Sequence, residues 1–245
     1  MGRSPTSRNE MRPVCMITGA DSHLGTALCQ ALGFEYRLVA TYENNHPPIS
    51  SQLRKMVDLQ SGEGADHSQM PVTYCIRADL TRREDVTRMV ELTLARFDQI
   101  DVLVNAVSDL SFRSKVLEIW QIADVAASEI VRNSLVPIQV ASLIHDLCWK
   151  EQPIDNARWN RNVVNISSTL AVGIPGGNGH GLFAASKGAL NTLTRYLALE
   201  LSKYRVRANA ICAPPLLDEN VTHQLIKAVG ELIRGDNTGS IVSEL

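Results

Sequence analysis

Short runs of β-branched and apolar residues alternate along this chain with longer segments of helical periodicity, and that alternation admits few folds. The runs are VCMIT (14–18), RLVATY (37–42), VTYCIRA (72–78), DVLVN (101–105), NVVNISS (162–168), RANAIC (207–212) and SIV (240–242). Near-continuous apolar strands are buried on both faces, and strand–helix–strand repeats build parallel sheets. The pattern predicts an α/β fold, a doubly wound parallel sheet of seven strands with helices on both faces. Leu24–Phe34 reads as a short helix, and Val86, Met89, Val90, Leu94 and Phe97 form an amphipathic stripe. Thr81-Arg-Arg-Glu84 ahead of that stripe has the form of a capping box. Loops are expected at 61–69, 150–161 and 173–181, and a last helix at Gln224–Arg234.

With 44% hydrophobic and 20% charged residues, the chain is expected to form one domain over residues 13–245, behind a disordered polar tail at 1–12. A formal charge of -2 with dispersed Lys and Arg argues against nucleic acid as a partner. The leader MGRSPTSRNEMRP precedes no apolar signal core, so no membrane association is expected. The five cysteines include no C-x-x-C pair and no metal-ligand spacing, which suits a reducing, cytoplasmic setting and predicts no metal site. Two glycosylation patterns occur, at Asn165 and Asn220, and the first lies inside an apolar strand.

The first strand runs into Thr18-Gly19-Ala-Asp-Ser22-His23-Leu24-Gly25 and then into a helix. Glycines there let backbone approach a pyrophosphate seated on the helix N-terminus, as in Rossmann-type dinucleotide sites. Asp79-Leu80, Asn105-Ala106 and Asn165-Ile-Ser-Ser168 close later strands at their carboxyl ends, where a doubly wound sheet holds its ligand. At the end of the second strand stand Glu43 and Asn44. An acid at such a place commonly bonds the ribose 2′-hydroxyl of NAD, whereas Asn44 and His46 suit a 2′-phosphate, so NAD(H) and NADP(H) both stay open.

With its T-G-A-D-S-H-L-G loop (18–25), V-N-A-V (104–107), Asn133 in a long helix, Ser168 after a strand and F-A-A-S-K (183–187) opening the next helix, the chain resembles a classical short-chain dehydrogenase/reductase. The resemblance covers nearly the whole chain from about Val14 and implies an NAD(P)-dependent oxidoreductase. It makes Asn133, Ser168 and Lys187 members of the family's catalytic tetrad. It makes Thr18, Gly19, Ser22, His23, Leu24, Gly25, Glu43, Asn44, Asp79, Leu80, Asn105, Ala106, Lys187 and Pro214 cofactor contacts. It also implies a homo-oligomer, dimer or tetramer, paired through long helices near 116–147 and 182–203.

The departures bear on the reaction. Phe183 stands where the family has its proton-donating tyrosine, His23 replaces a glycine, and the family's Pro-Gly has become C-A-P-P-L-L-D-E (212–219) with almost no substrate-covering segment behind it. A ketone needs a proton for the alkoxide that hydride creates; a C=N⁺ iminium does not. Asp218 and Glu219 are expected beside the nicotinamide pocket, where negative charge would favour such a cation. Phe183, Arg132-Asn133 and the cut lid together resemble the fungal short-chain-dehydrogenase-like enzymes of prenylated indole alkaloid pathways. Those reduce a bulky cyclic iminium and in some members assist a Diels–Alder-type cyclisation. Two other readings stand beside it: a non-catalytic dinucleotide-binding subunit or sensor, and a carbonyl reductase of acyl-carrier or pteridine type with Ser168 or a water relayed by Lys187 as proton donor.

Overall fold

A computed structural model of the chain describes residues 12–44, 55–60, 72–107, 113–173 and 179–243. The expected disordered tail, save Arg12, and His46 with its neighbours lie outside those residues, as does the whole of the expected loop 61–69.

The strands are β1 (Val14–Thr18), β2 (Arg37–Tyr42), β3 (Lys55–Asp58), β4 (Val72–Arg77), β5 (Val102–Asn105), β6 (Asn162–Ser168), β7 (Arg207–Ala213) and β8 (Ile241–Val242). All pair in parallel, in the order β3-β4-β2-β1-β5-β6-β7-β8. Seven of the eight are the expected strands, with ends shifted by a residue. The addition is β3, the short K-M-V-D, which adds to the sheet edge through its pairing with β4. Four residues of mixed polarity carry no period of their own, so this strand exists only through its neighbour.

Side chains alternate across β1: Val14 and Met16 join one core cluster, Cys15 and Ile17 the other. The first cluster lies under α2 (Arg83–Phe97), α4 (Val136–Ile144) and α6 (Gly181–Ser202). The second lies under α1 (His23–Leu32) and α7 (Glu219–Arg234), which pack on each other. The five cysteines are free and buried in this core.

A long helical run crosses the first face. It starts as a 3-10 turn (Val116–Ile122), continues as α3 (Ala123–Ile130), and opens into a π-helical stretch (Val131–Leu135) that holds Arg132 and Asn133. It then passes through α4 to a second π stretch (His145–Trp149). Insertions of this kind re-aim side chains and recur at functional sites.

Three local expectations fail. Within the expected loop 150–161 a short helix, α5 (Pro153–Arg158), forms behind a proline at its start. The capping box at Thr81–Glu84 does not form: α2 is capped by Arg82 without a side-chain bond, because the Thr81 hydroxyl donates to Asp79 Oδ1 at 2.6 Å. The last helix begins at Glu219 rather than Gln224, because Asp218 caps it by accepting the Val221 N–H at 2.8 Å. At the opposite end of the sheet, Asp101 and Arg161 form a buried ion pair of 3.0 Å that also takes the Val14 N–H and the side chain of Asn156.

Candidate functional site

The sheet order reverses between β1 and β5, and a cleft opens there at the strands' carboxyl ends, as expected of a doubly wound sheet. It has two lobes that share Ser22 and Ala106. The first lobe reaches outward over β2 and β4 and is lined by Gly19, Asp21, Tyr42, Glu43, Asn44, Leu80, Thr81, Val107, Arg132 and Val136. The second runs toward β6, β7 and the start of α6, and is lined by His23, Leu24, Ile166, Ser167, Ser168, Phe183, Ala213, Pro214, Pro215 and Leu217.

The glycine loop lies where the lobes join, and its shape depends on glycine. Gly19 has φ +69°, and a Cβ there would sit 2.9 Å from Val107 N. A Cβ on Gly25 would sit 2.1 Å from the Gly19 carbonyl oxygen, so α1 can cross the loop this closely only without a side chain. Ser22 caps α1, accepting from Gly25 N at 3.0 Å and donating to Gly19 O at 2.8 Å. A helix's first N–H groups lack partners inside the helix and attract anions. The cleft thus offers a backbone anion cradle between an outer, more polar lobe and an inner, mostly apolar one. These are the parts a dinucleotide requires, and the residues present fit one.

Several expected cofactor contacts turn out to be framework. Thr18 and Asn105 are buried away from both lobes: Thr18 Oγ1 donates to Asn105 Oδ1 at 3.1 Å, and Asn105 Nδ2 donates to Asn165 Oδ1 at 2.8 Å. Asn165 Nδ2 donates in turn to Thr194 Oγ1 at 2.8 Å. This chain ties β1, β5, β6 and α6 together directly beneath the cleft. Buried amides must find partners, and here they find one another. Asp79 lies in an adjoining polar depression rather than in the first lobe, and hydrogen bonds from Thr81 hold its carboxyl below the usual range.

The expected catalytic set divides between residues that face the second lobe and residues buried behind it. Ser168 faces the second lobe, where its hydroxyl accepts the Leu170 N–H at 3.2 Å. Phe183 faces the same lobe and is 5% exposed. Lys187 is 0% exposed and lines neither lobe; its ammonium donates to Val107 O at 3.1 Å and Ile166 O at 3.0 Å, and burial lowers its pKa to about 7. Asn133 is equally buried and donates to Glu129 Oε2 at 3.0 Å.

Two expected roles need correction. Arg132 does not stand with Ser168 and Phe183. One step from Asn133 on the helix turns it about 100° away, and its guanidinium pairs with Glu43 at 2.6 Å in the first lobe. Asp218 and Glu219 are exposed and line neither lobe, because the cap that starts α7 turns the Asp218 carboxylate to the backbone.

Residues that sequence reasoning did not single out include Asp21, whose carboxylate reaches the end of β2, and the pair Pro215 and Leu217 in the second lobe. An acid inside the glycine loop was the visible signal for Asp21. Among the described residues, no group of three His, Cys, Asp or Glu side chains could hold a metal, and no helix is long and apolar enough to cross a membrane.

A doubly wound parallel sheet with a glycine cradle at its switch point and a buried lysine in the second turn of α6 defines a Rossmann-type, dinucleotide-dependent oxidoreductase fold. The chain belongs to the short-chain dehydrogenase/reductase superfamily: residues 56–225 match the profile of a family described as Enoyl-(Acyl carrier protein) reductase. It is similar to glucose and ribitol dehydrogenase homolog 2 of Arabidopsis thaliana, 26% identical over 89% of this chain and 71% of that protein. It is similar also to a 3-oxoacyl-(acyl-carrier-protein) reductase of Thermotoga maritima, 27% identical over 86% of this chain and 77% of that one. In fold it matches an NADH-dependent reductase solved with NAD, with a TM-score of 0.73, 19% identity and 95% of each chain covered. Membership brings the family's nicotinamide dinucleotide, NAD(H) or NADP(H).

Proposed function

We propose that this chain is an NAD(P)H-dependent reductase whose acceptor takes a hydride without needing a proton from residue 183, namely the carbon of a C=N⁺ group in a bulky cyclic iminium. One observation carries the reading: Phe183, with no acidic proton, forms the wall of the second lobe. When bound, the dinucleotide supplies a hydride; the iminium carbon gains that pair of electrons and the nitrogen becomes a neutral amine, so no proton donor is required. The protein's part is to hold and shape. Leu24, Ile166, Ala213, Pro214, Pro215 and Leu217 give apolar walls for a rigid substrate. The short connection from Pro214 to Asp218 puts little chain over the mouth. A cyclisation accompanying the reduction would use the same open lobe. Since Asp218 and Glu219 lie outside it, selection of the cation rests on shape and on the missing acid rather than on a paired carboxylate. The outer face of α6 and the π stretches that flank α4 expose Leu135, Leu147, Tyr196 and Leu199, which suits pairing with a second copy. A cytoplasmic setting completes the proposal.

A second reading, a silent dinucleotide-binding subunit, is favoured by the complete burial of Lys187, whose donors are engaged by two backbone carbonyls.

The test is a titration of the purified protein with NADH and NADPH, followed by stopped-flow mixing of the reduced complex with cyclic iminium ions and matched ketones. Oxidation by iminium alone supports the reductase. Tight binding with no oxidation by either acceptor supports the silent subunit, and equal oxidation by ketones overturns both.

A further inference from the structure

Among the described residues that line the second lobe, His23 alone can carry a charge; the other polar members are Ser22, Ser167 and Ser168. His23 is exposed and is the first residue of α1, directly after the Ser22 cap. Its Nε2 lies 3.4 Å from Thr222 Oγ1 on α7. The Thr222 hydroxyl gives its one proton to the Asp218 carbonyl oxygen at 2.7 Å. Toward His23 that hydroxyl oxygen can only accept. Nε2 therefore carries the imidazole hydrogen, and Nδ1 is the nitrogen left to take up a proton.

We infer that the cleft takes up a proton on His23 as it binds the pyrophosphate of the dinucleotide, so that cofactor affinity falls as pH rises. The inference rests on the reading of the cleft as a dinucleotide site. A pyrophosphate in such a site sits on the N-terminus of the helix that His23 begins. Negative charge close to an imidazole favours its protonated form. Without an anion, the positive end of the helix dipole opposes that form. Protonation at Nδ1 leaves the Nε2–H bond to Thr222 in place, because both nitrogens of an imidazolium donate.

No carboxylate of the surrounding elements takes the place of that anion. α1 has no acid in its first turn, and α1 and β1 add only the buried thiols of Cys29 and Cys15. The Asp21 carboxylate turns to the end of β2, where it accepts the N–H groups of Glu43 at 3.3 Å and Asn44 at 3.4 Å. On α7 and its cap, the Asp218 carboxylate accepts the Val221 N–H, and Glu219 and His223 are exposed and line neither lobe. The connection from Pro214 to Leu217 has no ionisable side chain. Lys187 on α6 is buried behind the lobe and bound to the carbonyls of Val107 and Ile166. The charge that balances an imidazolium in this lobe thus comes with the ligand. A group whose pKa rises on binding adds its full affinity below its free pKa and loses it as pH climbs through its bound pKa. An imidazole ordinarily titrates at about 6.5, so the decline starts near there, at up to about tenfold per pH unit.

The test is calorimetric titration of the full-length protein with NADH and with NADPH, in pairs of buffers that differ in ionisation enthalpy, for wild type, His23→Gln and His23→Gly. The pH runs from about 7 to about 8.5, above the ordinary imidazole pKa of about 6.5 and the phosphate-monoester pKa of about 6. The buffer dependence of the heat counts the protons taken up. Wild type is expected to take up part of a proton and to lose affinity several-fold across the range. His23→Gln keeps an N–H that can donate to Thr222 and cannot titrate; it and His23→Gly are expected to show neither the uptake nor the decline. Binding by wild type without proton uptake overturns the inference and leaves the dinucleotide reading standing. Equal uptake by the variants also overturns it and assigns the proton to Lys187, whose pKa burial lowers to about 7. Binding of neither dinucleotide overturns both.

Discussion

The Lys187 ammonium lies 5.8 Å from the centre of the Phe183 ring, one helical turn away on α6. A cation over an aromatic face is attracted by the ring's quadrupole. Here the ring also closes the lysine from the second lobe, in which Phe183 takes part and Lys187 does not. Exchanging a phenol for this ring therefore removes a proton donor and leaves the lysine as an internal tie between the ends of β5 and β6.

That burial has a consequence for stability against pH. Lys187 titrates at about 7 in the folded chain, against about 10.4 when unfolded. Between those values the unfolded state binds more protons, so stability rises with pH, by up to about 1.4 kcal/mol per pH unit. Below about pH 7 both states are protonated and this slope vanishes. Burial also pushes the thiols of Cys15 and Cys75 up, which opposes the rise at higher pH. Urea unfolding between pH 7 and about 8.5, the ordinary thiol range, should show the rise in wild type and its loss in Lys187→Met. An unchanged slope in the variant would place the titration elsewhere.

Phe183→Tyr should not make a strong ketone reductase. A positioned acid contributes about 10²–10⁴ in rate, and the variant is expected to recover less than the lower end of that range. Its new hydroxyl would neighbour a lysine already bound to two carbonyls, beneath a connection of only Pro214 to Asp218. Steady-state rates on simple ketones decide it, and a gain of about 10³ would mean that only the phenol was missing.

Asp218 divides capping from catalysis. Asp218→Ala removes the oxygen that accepts the Val221 N–H and should cost about 1 kcal/mol in chemical denaturation. Asp218→Asn keeps a capping oxygen and loses the charge, and should match wild type in stability and in iminium reduction. Slower reduction by Asp218→Asn with cofactor affinity intact would restore a charge-stabilising role.

Gly25→Ala tests the cradle. Its Cβ would overlap the Gly19 carbonyl, so the loop must open. A loss of about 1–3 kcal/mol is expected together with loss of the melting shift that NADH or NADPH gives wild type. A retained shift would mean that the loop does not hold the dinucleotide.

Seven strands, the glycine loop and the opening of α6 were legible because each is a local pattern: apolar runs for strands buried on both faces, glycine at a crowded turn, helical spacing after it. The start of α7 was also legible in principle, since Asp218-Glu219 is a cap followed by an acid in the first turn. Reading those acids as groups facing substrate obscured it. β3 was not legible, because only pairing with β4 makes it a strand.

Sequence by itself determined the parallel α/β architecture, the place of the dinucleotide loop and the absence of a phenol at position 183, all of which depend on residue type and short-range spacing. Only the tertiary structure decided that Arg132 meets Glu43 across 89 positions, that Thr18 and Asn105 bind each other across 87, and that Lys187 turns inward to the carbonyls of Val107 and Ile166. The physical reason is reach: periodicity reports which face of an element is buried, whereas the partner of a charge or an amide depends on which distant backbone the closed fold brings within about 3 Å, the length of a hydrogen bond.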